Sequence, residues 1–340
     1  MTVYASYTIV DHADLLTKAK AFFVSNGWTV SSATDTTFII TKSGVSHRIV
    51  TANNGKFSDW TYSSINYDAT YECTIGIGDT VTTNVFCIVG AMPLPCVVDF
   101  FIFDDGGVLI CAEVASGIWA QAYSGFLDTS LSGDGYFDKI ISGSYGGGVR
   151  TGYNSANNYR INPAILAALR GYDGFLKAYN TAVASTSLFV GTTVSSSIDD
   201  LYQSATTFIR QADGIWVSST CSATTYPSYA TGIDTTFTFD GSTYYHQKTH
   251  PLYSNAAIYN FAPYFKDILP SPIYIPALCT TAQPLIMGQV KNMYYVSANS
   301  NVVLQEEITI GVYKFRVYTM GNGAYASSSY HYQYLAVRVA

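Results

Sequence analysis

At 340 residues the chain is long enough to bury roughly 75% of its unfolded surface, so its stability requires neither a metal nor a disulfide staple. Charged residues are only 12% of the chain, while aromatics reach 15% with 29 tyrosines, a balance that suits strands and contact surfaces. The 17 Lys plus Arg are scattered and outnumbered by 23 Asp plus Glu, a net charge of -6 that argues against nucleic acid as a main partner.

In chain order, residues 1–10 alternate weakly and read as a first strand. The strongest helical pattern follows over 12–26: Asp11 is the N-cap, Asp14 suits the first turn, Leu15, Leu16, Ala19, Phe22 and Phe23 recur at helical spacing, and Gly27 stops the run. Trp28, Thr29 and Val30 start a strand. Residues 36–42 and 45–52, joined at Ser43-Gly44, read as a hairpin, which makes the opening a small α+β module. Residues 53–68 alternate polar and aromatic side chains as a loop or edge. Strands are expected at 71–77 and 81–89 around Gly78-Asp79, before the Pro93-Leu94-Pro95 break redirects the chain.

The run 96–128 is the densest in strand formers and reads as the spine of the fold. Its apolar block of Val97, Val98, Phe100, Phe101, Ile102 and Phe103 meets the turn Asp104-Asp105-Gly106-Gly107, residues 108–114 return, and 117–126 follow as a third segment. Strands apolar on both faces are usually covered on both sides. Residues 131–158 are rich in glycine and serine and read as a long surface excursion. The triplet Gly146-Gly147-Gly148 lacks the Lys-Ser/Thr and helix start of a phosphate loop. Short helices are expected after Asn162-Pro163 and over 197–205. Short strands fall between 208 and 239. The proline-rich stretch 246–276 reads as an extended, turn-rich crossing, and clean alternation returns at 288–296, 307–310, 312–319 and 330–339. The expected fold class is α+β, predominantly β, with antiparallel sheets, one N-terminal helix over about 12–26, few short helices and long loops. Four parts follow: an N-terminal α+β module (1–92), the central hairpin spine with its glycine-rich loop (93–160), a loop-rich insertion-like region (161–275) and C-terminal strands completing the core (276–340).

The N-terminus lacks a basic region followed by an apolar core, and no apolar run approaches the roughly 20 residues of a membrane span, so no signal peptide and no membrane partner are expected. The six cysteines are widely spaced without a CxxC, which favours buried free thiols; a Cys96–Cys111 bridge requires a hairpin register that pairs them. His246 and His250 share an HxxxH spacing, but Pro251 opposes the helix a metal site would use there. His12 belongs to the first helical turn and His331 to a tyrosine-rich strand. Asp104 and Asp105 belong to the turn. Asp99 and Glu113 lie on opposite arms of the hairpin, where a glycosidase pair would sit, yet acids among strands are more often edge or loop groups. Ser124 lacks a Gly-x-Ser-x-Gly turn, and no His-Asp partner can be placed for it from sequence. No catalytic residue, metal or cofactor is assigned. Aromatic clusters carry more weight, namely Trp60, Tyr62 and Tyr67, Tyr226 and Tyr229, Tyr244 and Tyr245, and Tyr325, Tyr330, Tyr332 and Tyr334. Tyrosine supplies rigid contact area with a hydrogen-bonding tip, for protein subunits or for sugar.

The helix and turn DLLTKAKAFFVSNGWTV (14–30), the central VDFFIFDDGGVLICAEVASGIWAQAYSGFLDTSLSGDGYFDKIISGSY (98–145) and the C-terminal ITIGVYKFRVYTMGNGAYASSSYHYQYLAVRV (308–339) resemble virion structural proteins of tailed bacteriophages. The resemblance rests on the phrase Tyr123-Ser124-Gly125-Phe126-Leu127-Asp128 after a strand pair, the glycine-rich Ile141-Ser142-Gly143-Ser144-Tyr145, and the closing Ala336-Val337-Arg338. The insertion-like stretch at about 172–250 departs from it. The resemblance implies a non-enzymatic tail, baseplate or neck component. Its partners would be copies of itself and other virion proteins, and it would be made in the host cytoplasm and released by lysis. A second expectation is a receptor- or carbohydrate-binding module at the tail tip, with a host-surface glycan on Trp60/Tyr62 or Tyr244/Tyr245. A third is a polysaccharide-degrading enzyme using Asp99 or Glu113.

Overall fold

The structure is a computed structural model that describes residues 2–53, 73–82, 85–89, 92, 94–115, 117–128, 137–143, 145–146, 207–218, 233–234, 236–239, 241–246, 270–278, 285–297, 306–319 and 333–340. The chain opens on β1 (Val3–Ile9) and α1 (His12–Ser25), then β2 (Thr29–Ser31), β3 (Thr37–Lys42), β4 (Val45–Asn53), β5 (Cys73–Gly78) and β6 (Phe86–Ile88). The spine supplies β7 (Cys96–Ile102), β8 (Val108–Ala115) and β9 (Ile118–Asp128), followed by β10 (Phe137–Gly143) and β11 (Tyr145–Gly146). Next come β12 (Thr207–Gln211), β13 (Trp216–Ser218), β14 (Ile233–Asp234), β15 (Thr236–Phe239) and β16 (Ser242–His246). The last strands are β17 (Pro270–Leu278), β18 (Leu285–Ser297), β19 (Glu307–Ile310), β20 (Tyr313–Thr319) and β21 (Gln333–Arg338). The fold is α+β and predominantly β, and α1 is the one helix among the described residues.

Local chemistry explains α1. Asp11 is extended and its carboxylate accepts the Asp14 amide at 2.7 Å, while Asp14 pairs with Lys18 one turn on. At the other end Gly27 takes φ +79°, letting the Gly27 and Trp28 amides donate to the Val24 and Phe23 carbonyls. Leu15, Ala19, Phe22 and Phe23 form the buried stripe.

The spine folds as the sequence predicts, with β7 and β8 antiparallel and Ile102 opposite Val108 across the turn. Alternation then sorts its side chains. Val98, Phe100 and Ile102 of β7 and Val108, Ile110 and Ala112 of β8 meet α1 and the apolar residues of β3, β4 and β5. Phe101, Leu109, Cys111, Trp119 and Tyr123 point the other way, into a core shared with Met293, Tyr318, Leu335 and Val337. Both faces are therefore covered, and β1, β7, β8 and β9 form the central layer. A second sheet, ordered β11-β6-β5-β4-β3-β2, packs with α1 on one side, while β18, β21, β20 and β19 lie on the other. Beyond β9 the larger sheet continues through β10, β12 and β13. Phe100 sits in an aromatic cluster against α1, with ring centroids 5.6 Å from Phe22 and 6.2 Å from Phe23. Phe100→Ala is expected to cost about 3–5 kcal/mol in urea unfolding, because so enclosed a site cannot collapse around the cavity.

Cys96 and Cys111 are buried free thiols, as the cysteine spacing favours: the register sets Cys111 opposite Asp99, and the two thiols belong to opposite faces of the layer. Several other expectations need correcting. The strand expected over 81–89 starts only at Phe86, since Asp79 captures the amides of Val81 and Thr82 and leaves Val81 85% exposed. The glycine- and serine-rich run is not all surface, because Phe137, Ile140 and Ile141 carry β10 into the interior beside β9. Gly143 belongs there for a reason, as a Cβ would stand 2.5 Å from Cys87 Cβ. The expected turn-rich crossing ends in a regular strand, β17, paired with β18 over its length. Its register shifts fall at Pro272/Ile273 and Ile275/Pro276, where proline cannot supply a ladder donor. The helices expected after Asn162-Pro163 and over 197–205 lie outside the described residues.

Candidate functional site

Polar side chains gather on both faces of the central layer. On the face toward β20, Asp99 is fully buried, and its Oδ2 accepts the Tyr318 hydroxyl at 2.6 Å and the Arg316 Nε–H at 3.1 Å. Alternation along YKFRVYT turns Arg316 and Tyr318 toward the central layer while Phe315 and Val317 point to the strand's other face, into a separate buried apolar cluster. The Arg316 guanidinium also lies 5.5 Å from the centre of the Tyr4 ring, and Tyr4 donates its hydroxyl to Glu307 at 2.6 Å. One chain of contacts thus ties β7 and β1 to β20 and β19. Burial drives the Tyr318 phenol well above its ordinary pKa, and the neighbouring Cys111 thiol and Asp99 carboxylate push the same way. Glu113 lies diagonally from Asp99 and accepts the Gly117 amide at 2.9 Å, capping the β8–β9 turn. The hairpin does bring the two acids to one face, but Asp99 is held by an arginine and a phenol inside the core and Glu113 by backbone.

The opposite face carries a seam to the second sheet. His47 of β4 is fully buried, with Nδ1 2.9 Å from Ser124 Oγ and Nε2 2.9 Å from the Gly106 carbonyl oxygen. Since a carbonyl only accepts, Nε2 carries the proton and Nδ1 takes the Ser124 hydroxyl hydrogen, a tautomer assigned from this network. Burial, with the nearby Lys139 charge, depresses the imidazole pKa to about 3. Ser124 therefore has a histidine partner after all, which sequence could not place because His47 lies 77 residues upstream. The O–H···N geometry is that of an activated serine, but both side chains are 0% exposed and the far ring nitrogen faces a carbonyl instead of a carboxylate. The pair joins two layers. Beside it, Lys139 of β10 donates to the Ser46 carbonyl at 3.1 Å and lies 3.8 Å from Asp79, whose own carbonyl accepts the Arg48 Nε–H at 3.0 Å.

Of the expected contact residues, Trp60, Tyr62, Tyr67, Tyr226, Tyr229, Tyr325 and Tyr330 lie outside the described residues, as do Tyr332, His250 and His331. Tyr244 and Tyr245 occupy successive positions of β16, with Phe237 and Thr236 as register partners on β15. His246 is on the same strand opposite Ala277, so the HxxxH stretch starts extended rather than helical. Tyr334 packs at the margin of a small apolar cluster of Val296, Phe315, Val317 and Ala336. Asp105 keeps its turn role, with Oδ1 accepting the Gly107 amide at 2.9 Å. His12 opens α1 and bonds Thr51 at 3.1 Å. No group of three or more His, Cys, Asp or Glu among the described residues is arranged to hold a metal. The residues that sequence reasoning passed over are His47, Arg48, Lys139 and Arg316. Their signal was a charged or titratable side chain at an inward position of an otherwise apolar strand.

No protein-family model matches this chain, and no curated protein matches it.

Proposed function

We propose that this chain is a non-enzymatic structural subunit of a tailed-phage virion, in its tail, baseplate or neck, and that it works through contacts with copies of itself and with other virion proteins. The phrases at 123–128, 141–145 and 336–338 support this reading by their likeness to such proteins. The observation that carries it is where the spine's reactive groups are directed. Asp99 is bound by Arg316 and Tyr318, and Ser124 by His47, so these groups lock layers together. A body locked internally in this way serves as a rigid scaffold from which loops can order against neighbours, and closed symmetry repeats the same patch on every copy.

Light scattering on the purified full-length chain over a range of concentrations, together with electron microscopy of particles carrying it, tests the proposal. Oligomers in solution and several copies around a symmetry axis in the particle are expected. A chain that stays monomeric, is found once or not at all in the particle, and binds a defined sugar on a glycan array overturns it in favour of a receptor-binding module.

A further inference from the structure

We propose that the buried side chains of Lys139 and Asp79 condense into an intramolecular amide, a covalent cross-link between the larger sheet and the second sheet. The two side chains are 5% and 4% exposed, and Nζ stands 3.8 Å from Oδ1. Lys139 comes from β10 in the larger sheet, while Asp79 directly follows β5 in the second. Each partner is held from behind. One Lys139 N–H donates to the Ser46 carbonyl at 3.1 Å, and Asp79 Oδ2 accepts the Thr82 amide at 2.8 Å and the Val81 amide at 3.3 Å. The carboxyl carbon therefore has backbone donors on one oxygen and an amine beside the other.

That arrangement supplies what amide formation needs. In a site shielded from water, a proton passing from the ammonium to Oδ1 converts an ion pair into a neutral amine and a carboxylic acid, which removes the cost of two buried charges. Burial already lowers the Lys139 pKa to about 8, so the neutral amine is within reach near neutral pH. Its lone pair then attacks Cγ. Negative charge develops on Oδ2, where the Val81 and Thr82 N–H groups stabilise it as an oxyanion hole would. The N–Cγ bond forms, the Cγ–Oδ1 bond breaks, and Oδ1 leaves as water with its own proton and one from the amine. One ammonium and one carboxylate give one amide and one water, with no oxidant or co-reactant. Fixing both groups within one fold removes the entropic barrier that makes such condensations slow between free molecules. The inference does not rest on the virion reading, because the pair is internal to one chain.

Intact-mass measurement on the denatured full-length protein, after prolonged incubation near neutral pH, where the pair keeps the proton that must leave with Oδ1, tests it directly. The wild-type chain is expected to be lighter than its sequence mass by one water, and digestion is expected to release a branched peptide joining the segments that carry residues 79 and 139. Lys139→Arg, which keeps the charge but lacks the primary amine, is expected at its full sequence mass. A wild-type chain at full sequence mass, or a water loss that maps to any other pair, overturns the cross-link.

Discussion

Replacing Arg316 by methionine is expected to destabilise the protein by about 3–5 kcal/mol, measured by urea unfolding followed through tryptophan fluorescence. The cause is the charge left behind. Asp99 has no exposed surface, and Arg316 Nε at 3.1 Å is its counter-charge, with Tyr318 as its neutral donor at 2.6 Å. Methionine fills a similar volume, so packing loss is small and the effect reports the uncompensated carboxylate. The pair itself is not a large net source of stability, because desolvating both groups offsets most of their attraction. Asp99→Leu combined with Arg316→Met is therefore expected to recover most of the loss, and this double variant separates charge burial from packing. Trp119 makes a convenient reporter, since its ring centroid is 5.0 Å from that of Tyr318. A single-variant cost below about 1 kcal/mol would mean that water already reaches Asp99, and would refute a dry link between β7 and β20.

What the sequence revealed and what it hid divide along contact distance. The α1 caps, the 43–44 turn and the β7–β8 hairpin were legible because the residues that decide them are neighbours: Asp11 with Asp14, Gly27 with Val24, Asp105 with Gly107. Coverage of both spine faces was legible too, from an apolar block without alternation. The internal locks were not. Tyr318 and Asp99 are 219 residues apart and Ser124 and His47 are 77 apart, and no local pattern couples either pair. Composition misled in two places for opposite reasons. In β10 the glycine and serine content masked Phe137, Ile140 and Ile141, which burial selects, and in β17 the prolines suggested a loop where bulges accommodate them within a sheet. The tyrosine clusters expected to make contacts fall mostly at positions outside the described residues, so their part in recognition stays with the proposal rather than with the fold.

Acid is expected to weaken the protein through His47 before its carboxylates titrate. Burial holds the folded imidazole at a pKa of about 3, against an ordinary value of 6.5 that the unfolded chain regains. Between those values the unfolded state binds a proton that the folded state refuses, so stability falls as pH falls from 6.5 toward 3. The loss reaches about 2 kcal/mol by pH 5 and about 4 kcal/mol near pH 3. His12, partly buried and shifted downward by the same cause, acts in the same direction, so the comparison is made in a His12→Gln background. There, His47→Gln keeps a side-chain N–H for the Gly106 carbonyl but cannot titrate. It is expected to be less stable at pH 7, where the Ser124 contact is weakened, yet to show a nearly flat urea midpoint from pH 7 to pH 5 while the His47 chain declines. Equal slopes in the two chains would place a proton on the folded imidazole at mild pH, and the seam between the layers would then have to admit water around His47, contrary to its complete burial.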